Sequence, residues 1–165
     1  MESNHLKPLA VTGAVITVSS SRKPESDTSG KTLIDLLTAA GIEVTHYAIV
    51  PDDIERIRAE VRTALTRATC VIVTGGTGLT PDDVTIEAVA PLLEKTIDGF
   101  GELFRLKSYD EIGTAAILSR AIAGVAGGRV VFCTPGSTKA VTLAAKKIII
   151  PEIRHILTHA SAGQR

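Results

Sequence analysis

The run from Cys70 to Thr85, CVIVTGGTGLTPDDVT, joins a β-branched segment to a glycine-rich loop and then to Pro81 and two carboxylates, Asp82 and Asp83. Glycine has no side chain to hold a ligand off. Gly75, Gly76 and Gly78 therefore let backbone N–H groups approach an anion closely, and a helix starting just beyond adds partial positive charge. That is phosphate-site chemistry. Carboxylates beside a naked phosphate would repel it, so their presence implies a divalent cation between them and the ligand. A metal-nucleotide site is the first expectation.

Two other stretches carry residues of the same kind. Asp52 and Asp53 follow Pro51 at the end of a second β-rich segment, where they either favour the dipole of the next helix or serve the same site. Ser26 to Thr32 ends in Gly-Lys-Thr, but Glu25 stands where a P-loop requires glycine, so that pattern fails. The stretch reads either as a polar loop with Ser29 as N-cap or as a ligand-contacting loop.

The elements that must position these residues follow from periodicity. Leu9–Val18, Ile42–Val50 and Cys70–Thr74 read as buried strands. Between them, Gly30–Ala40 and the stretch opened by Pro51-Asp52-Asp53 have apolar residues at helical spacing, including Leu33, Leu37, Ile57 and Val61. A β-α-β-α-β alternation predicts a parallel sheet, whose ligands gather at the carboxyl ends of the strands. The loops at 19–29, 51–53 and 75–83 would then share one edge.

Beyond Asp83, residues 84–93 suggest helix interrupted at Pro91. Gly99–Glu111 holds two of the three Phe and one of the two Tyr, an unusual composition that suggests a partner surface. Ala116–Leu118 and Ala121–Ala126 read as short strands, with Gly127-Gly128 turning the latter into Val130–Cys133 as an antiparallel hairpin. Thr134–Ser137 is a turn opening a last helical region, with Pro151 separating Ala140–Ile149 from Glu152–His159. The expected fold is a three-layer α/β/α arrangement with a mostly parallel sheet and an antiparallel edge hairpin. A flexible arm at 1–8 would precede a single domain at 9–165.

Composition narrows the function classes. Eighteen basic residues against eighteen acidic ones give no net charge, and aromatics are 3%, so neither a nucleic-acid footprint nor a base-stacking platform is expected. No apolar run approaches a membrane span or a signal region, which predicts a cytoplasmic protein. Cys70 and Cys133 sit in apolar, β-rich segments and read as inert core thiols. His155 and His159 share a helix face at i,i+4, which is also a metal spacing. With no third ligand evident, a surface or interface role is expected.

Taken in order and at these spacings, five motifs resemble the molybdopterin adenylyltransferase family of molybdenum cofactor biosynthesis, the MogA and MoaB proteins. They are Ser26-Asp27-Thr28-Ser29-Gly30, Pro51-Asp52, Thr74–Gly78 with Asp83-Val84-Thr85, Leu118-Ser119-Arg120, and Pro135–Ala140. The match covers nearly the whole chain, and Gly99–Thr114 with Pro135–Ala140 look more like the MoaB branch. The resemblance implies Mg²⁺-dependent transfer of AMP from ATP to the terminal phosphate of molybdopterin, releasing pyrophosphate. It implies Asp52 and Asp83 as the catalytic, metal-holding carboxylates, and Gly75, Gly76, Thr77 and Gly78 as phosphate donors. Ser29 and Ser108, with Thr77, match substrate-contacting positions, and Pro135, Gly136 and Ser137 would line the nucleotide pocket. Lys139 is a phosphate partner or a solvated lysine. A homo-oligomer, trimer or hexamer, is implied, with Phe100–Tyr109 as the contact surface and a molybdenum-insertion protein as a further partner.

Two positions depart from the pattern. Asp82 stands where relatives commonly have Arg, and Thr138 where many have a second proline. Asp82 keeps open the alternative of a catalytically silent molybdopterin-binding or carrier protein, whereas the retained Asp-Val-Thr motif favours an enzyme. Physics alone would offer a generic nucleotide-binding regulator of flavodoxin-like topology.

Overall fold

Strand alternation explains the layering. In the computed structural model, which describes residues 10–163, successive residues of the central strands point into two separate cores; the arm at 1–8 lies outside the described residues. In chain order the elements are β1 (Thr12–Val18), α1 (Thr28–Ala39), β2 (Glu43–Val50), α2 (Ile54–Leu65), β3 (Cys70–Thr74), α3 (Thr85–Val89), β4 (Lys95–Thr96), α4 (Asp98–Ile112), β5 (Ile122–Ala126), β6 (Arg129–Thr134), α5 (Thr138–Ala144) and α6 (Ile150–Ala160). The sheet order is β2-β1-β3-β6-β5-β4, parallel from β2 to β6 and antiparallel at β5 and β4.

On one face, Val15, Ile72 and Phe132 pack with Leu33 and Leu37 of α1, Phe100 and Phe104 of α4, and Ile153 of α6. On the other, Ile16, Val71 and Val73 meet Ile57 and Val61 of α2 and Ala88 and Val89 of α3. Each such buried aliphatic side chain stabilises the fold by roughly 1.5–3 kcal/mol. Because α1 and α2 cover opposite faces, the chain reverses its direction across the sheet at β1 and β3. The crevice beyond their carboxyl ends is the place where doubly wound sheets hold ligands.

The same alternation puts Cys70 in the first core and Cys133 in the second, so the two thiols are free and cannot pair. Burial pushes the Cys70 thiol up to about 12 and Cys133 higher still, which leaves both without thiolate at neutral pH, as inert core residues should be.

Four expectations need correction. Residues 113–118 form a 3₁₀ turn, not a strand over Ala116–Leu118, and the hairpin strand begins at Ile122. Gly99–Glu111 lies within α4, where Phe100 and Phe104 are 3% and 1% exposed and the Phe100 ring packs against both Phe104 and Phe132. A contact surface therefore cannot use those rings. On α4 and the turn after it, the exposed large apolar side chains are Leu103, Leu106, Tyr109, Ile112, Ile117 and Leu118. Helix α1 starts at Thr28 because Asp27, and not Ser29, caps it by accepting from Gly30 N.

The fourth concerns Pro151, which stands in the first turn of a new segment, α6, as expected, but without a gap in the helical run. Proline has no N–H to give a carbonyl one turn back, and a π-helical turn at Ala145–Ile149 absorbs the defect and joins α5 to α6. The Gly127-Gly128 hairpin turn is as expected, with φ of 57° and 76°, the doubly left-handed geometry that twisted antiparallel strands favour.

Candidate functional site

A cleft of about 560 Å³ opens at the carboxyl ends of β1, β3 and β6. It is lined by the Ser19–Arg22 loop, Asp52, Gly75–Gly78, Asp83, Leu118, Ser119, Pro135 and Gly136. The three loops expected at one edge do meet there.

The glycine loop is pinned at its base and open at its tip. Gly75 N donates to Thr134 O at 3.0 Å, Thr85 N to Gly76 O at 2.9 Å, and Thr85 Oγ1 to Gly75 O at 2.7 Å. Among the described residues, the N–H groups of Gly76, Thr77 and Gly78 donate to no protein acceptor, which leaves three consecutive donors for an anion. Gly75 and Gly76 need their left-handed φ of 94° and 67°, a region that costs any other residue strain.

Both carboxylates press on this loop. A Cβ on Gly76 would come within 3.2 Å of Asp52 Oδ1, and one on Gly78 within 2.6 Å of Asp83 Oδ2. Asp52 Oδ2 accepts from Ser20 Oγ at 2.7 Å. Asp83 Oδ2 accepts from Thr80 N and Thr80 Oγ1 at 3.1 and 2.8 Å. Among the described residues neither Oδ1 has a protein donor, so each carboxylate is oriented through one oxygen and keeps the other. Two hard oxygen donors with phosphates and water for the remaining positions suit Mg²⁺, which seldom takes an all-protein cage. Asp53, by contrast, caps α2 by accepting from Arg56 N at 2.9 Å, the plain helix-start role.

Two arginines that the sequence did not place in the site hold its loops. Arg22 lines the cleft and bridges two loops, donating from Nη1 to Ser29 Oγ at 2.6 Å and from Nη2 to Gly136 O at 3.4 Å. Arg120 donates from Nε to Thr77 O at 2.7 Å and forms a two-pronged pair with Glu87 at 2.8 and 3.1 Å. The hydrogen bond to Glu87, helped by the charge of Asp83, strengthens the hold of Arg120 on its proton, and Arg120 in turn draws the Glu87 carboxyl below its usual range. The one sequence signal was that Arg120 belongs to a recognisable motif. Asp82 is exposed and does not line the cleft. Arg120, which donates to Thr77 O and pairs with Glu87, lies near enough to Asp83 for the two charges to act on one another.

Other expected site residues lie elsewhere. Ser29 is 1% exposed and its hydroxyl oxygen accepts from Arg22, while Ser108 is buried on α4 and does not line the cleft. Ser137 caps α5 through Ala140 N at 3.1 Å. Lys139 lines a different groove, with Glu111, Ile112 and Lys146. The cleft gathers Asp52, Asp83, Gly75, Gly76, Thr77, Gly78, Pro135 and Gly136, and not Ser29, Ser108, Ser137 or Lys139.

Behind the cleft, Asp27 is fully buried and satisfied by Thr17 Oγ1 at 2.8 Å, Gly30 N at 3.1 Å and the Tyr47 hydroxyl, with Arg22 Nη1 at 3.6 Å. A buried charge needs such partners. Gly30 is required here, because a Cβ would fall 2.1 Å from Asp27 Oδ2. Burial, then the hydrogen bond to Asp27, raises the Tyr47 phenol above its ordinary value. A group whose folded pKa is raised contributes fully below its unfolded pKa, about 10, and loses that contribution as pH climbs toward the folded value. Tyr47→Phe is expected to cost about 2 kcal/mol at neutral pH and to flatten the fall in stability above about pH 10, read by denaturant unfolding at both pH values.

The match to known proteins agrees with this geometry. Residues 14–155 match the family described as a probable molybdopterin binding domain. The molybdenum cofactor biosynthesis protein B of Staphylococcus carnosus is 50% identical over 148 residues, covering 87% of each chain. A crystal structure of a molybdenum cofactor biosynthesis protein B superposes with a TM-score of 0.90 at 48% identity, over 94% of this chain and 99% of that one. The tungsten cofactor synthesizing protein MoaB of Pyrococcus furiosus gives a TM-score of 0.85 at 41% identity, over 93% and 99%.

Proposed function

The chain belongs to the molybdopterin-binding domain family of molybdenum cofactor biosynthesis, and from that premise we propose that it is a molybdopterin adenylyltransferase, transferring AMP from ATP to molybdopterin with Mg²⁺. The observation that carries the reading is the meeting of a three-donor glycine loop with two singly anchored carboxylates in one cleft.

In the reaction, an oxygen of the molybdopterin terminal phosphate attacks the α-phosphorus of ATP. The new P–O bond replaces the bond to the β-phosphate oxygen, and pyrophosphate leaves. Such transfers ask the protein for positioning and charge neutralisation more than covalent chemistry. The N–H groups of Gly76, Thr77 and Gly78 would bind phosphate oxygens, and Arg22 would steady the Pro135-Gly136 side of the cleft. Asp52 and Asp83 would hold Mg²⁺, whose charge offsets that of the phosphates. Arg120 clamps Thr77 and so keeps the loop's donors aligned.

The competing reading, a silent carrier, drew on Asp82 in place of Arg. With Asp82 outside the cleft lining and Arg120 on the loop, that motive is weakened. Pyrophosphate release separates the two: the transferase releases it from Mg-ATP when molybdopterin is added, while a carrier binds the pterin and releases none. We further propose that a homo-oligomer, trimer or hexamer, covers the apolar side chains of Leu106, Tyr109, Ile112, Ile117 and Leu118, and that the product passes to a molybdenum-insertion protein. No described helix is long and apolar enough to cross a membrane.

A further inference from the structure

Apart from the cleft, a second depression of about 680 Å³ lies between α6 and the β4–β5 edge of the sheet. Its wall carries Glu152, His155 and His159, spaced at i, i+3 and i+7 along one helix face. The two imidazoles face each other with their Nε2 atoms 3.2 Å apart and ring centroids 5.0 Å apart, so both nitrogens lie on the facing sides of their rings. Glu152 Oε2 lies 3.1 Å from His155 Nδ1. A carboxylate there holds the proton on Nδ1 and leaves the Nε2 lone pair of His155 to accept from His159 Nε2–H, a proton that a bound metal would displace; a carboxylate on Nδ1 is the outer-sphere arrangement found behind metal-bound histidine.

We propose that Nε2 of His155 and Nε2 of His159 form an open, two-histidine site for a borderline divalent transition metal such as Zn²⁺, with Glu152 as its outer-sphere support. Geometry favours this ion class. At Zn–N distances of 2.0–2.1 Å, nitrogens 3.2 Å apart subtend an angle at the metal of about 100°, close to tetrahedral. Imidazole nitrogen suits Zn²⁺, Cu²⁺ and Ni²⁺ and not the hard Mg²⁺ assigned to the carboxylate cleft, so the two sites would not compete for one ion. With two protein ligands, water fills the remaining positions, and occupancy leaves an accessible Lewis acid on α6. Lys95 lines the same depression and opposes a cation, while Glu94 and Glu152 offset it.

Titrating the untagged full-length protein with Zn²⁺ by calorimetry tests the site. One equivalent is expected to bind to wild type and to Asp52→Asn/Asp83→Asn, which removes the carboxylates of the cleft. His155→Ala and His159→Ala should each abolish it, and Glu152→Gln should weaken it about tenfold. Co²⁺ should selectively broaden the ring protons of His155 and His159 in the wild-type NMR spectrum, a readout free of any substitution. Zn²⁺ binding that survives either histidine substitution, absence of binding to wild type, or Co²⁺ broadening centred on other residues would overturn the assignment.

Discussion

Asp83→Asn is expected to lower the turnover number for AMP transfer by about 10²-fold or more while leaving the melting temperature nearly unchanged. The two effects separate because the asparagine amide oxygen can still accept from Thr80 N and Thr80 Oγ1, the bonds that shape the 80–83 turn. What the substitution removes is the charge. A carboxylate whose role was confined to that turn would tolerate the change, so turnover within a fewfold of wild type would contradict its place in the chemistry. Asp52→Asn should behave alike, since Ser20 can still donate to an amide oxygen. Steady-state rates at saturating ATP, with unfolding curves on the same preparations, give both readouts.

Gly75→Ala is expected to act on the fold and the site together, costing about 3 kcal/mol of stability. Gly75 has a φ of 94°, and a Cβ there would lie 2.4 Å from the carbonyl oxygen of Val18, at the end of β1. Backbone on backbone cannot yield as a flexible side chain can. Gly136 packs on the same spot, its Cβ position 3.1 Å from Gly75 Cα, so displacing one loop displaces the other. Chemical denaturation should show the midpoint falling, and a variant as stable as wild type would mean that the loop relaxes freely. Gly127→Ala is a useful contrast, because its φ of 57° is also left-handed but no atom lies within 4 Å of its Cβ position. It should cost about 1 kcal/mol through strain alone.

How far the sequence could be read follows from how local each cause was. Strands β1, β2 and β3, the glycine loop and the meeting of three loops at one edge were legible, because β-branched runs, period and crossover topology depend on neighbours in the chain. Helix α4 was not recognised as a helix. Gly99 and Gly101 interrupt its start, and its buried face is narrow, with Phe100, Phe104 and Ser108 four residues apart. Strand β4 has two residues and exists through its pairing with Val125 and Gly124, which no local pattern announces. In the site, carboxylates and glycines could be placed because their backbone position nearly fixes their reach. Arg22 and Arg120 could not, since their guanidiniums lie several bonds from the backbone and find partners 114 and 43 residues away. Of the two roles open to Ser29, helix cap or ligand contact, the cap falls to Asp27, two residues earlier, because both residue types serve and the Thr17 and Tyr47 hydroxyls hold Asp27 in place.

Group transfer by the cleft is read out by following a label from ATP. Purified protein is mixed with molybdopterin, Mg²⁺ and ATP labelled at the α-phosphate, and the products are separated by chromatography. Label appearing in a pterin adduct, in step with pyrophosphate and abolished by Asp83→Asn or by chelation of Mg²⁺, is the predicted result. Molybdopterin that binds tightly yet never acquires label, with all the label still in ATP, would contradict it and make the protein a carrier.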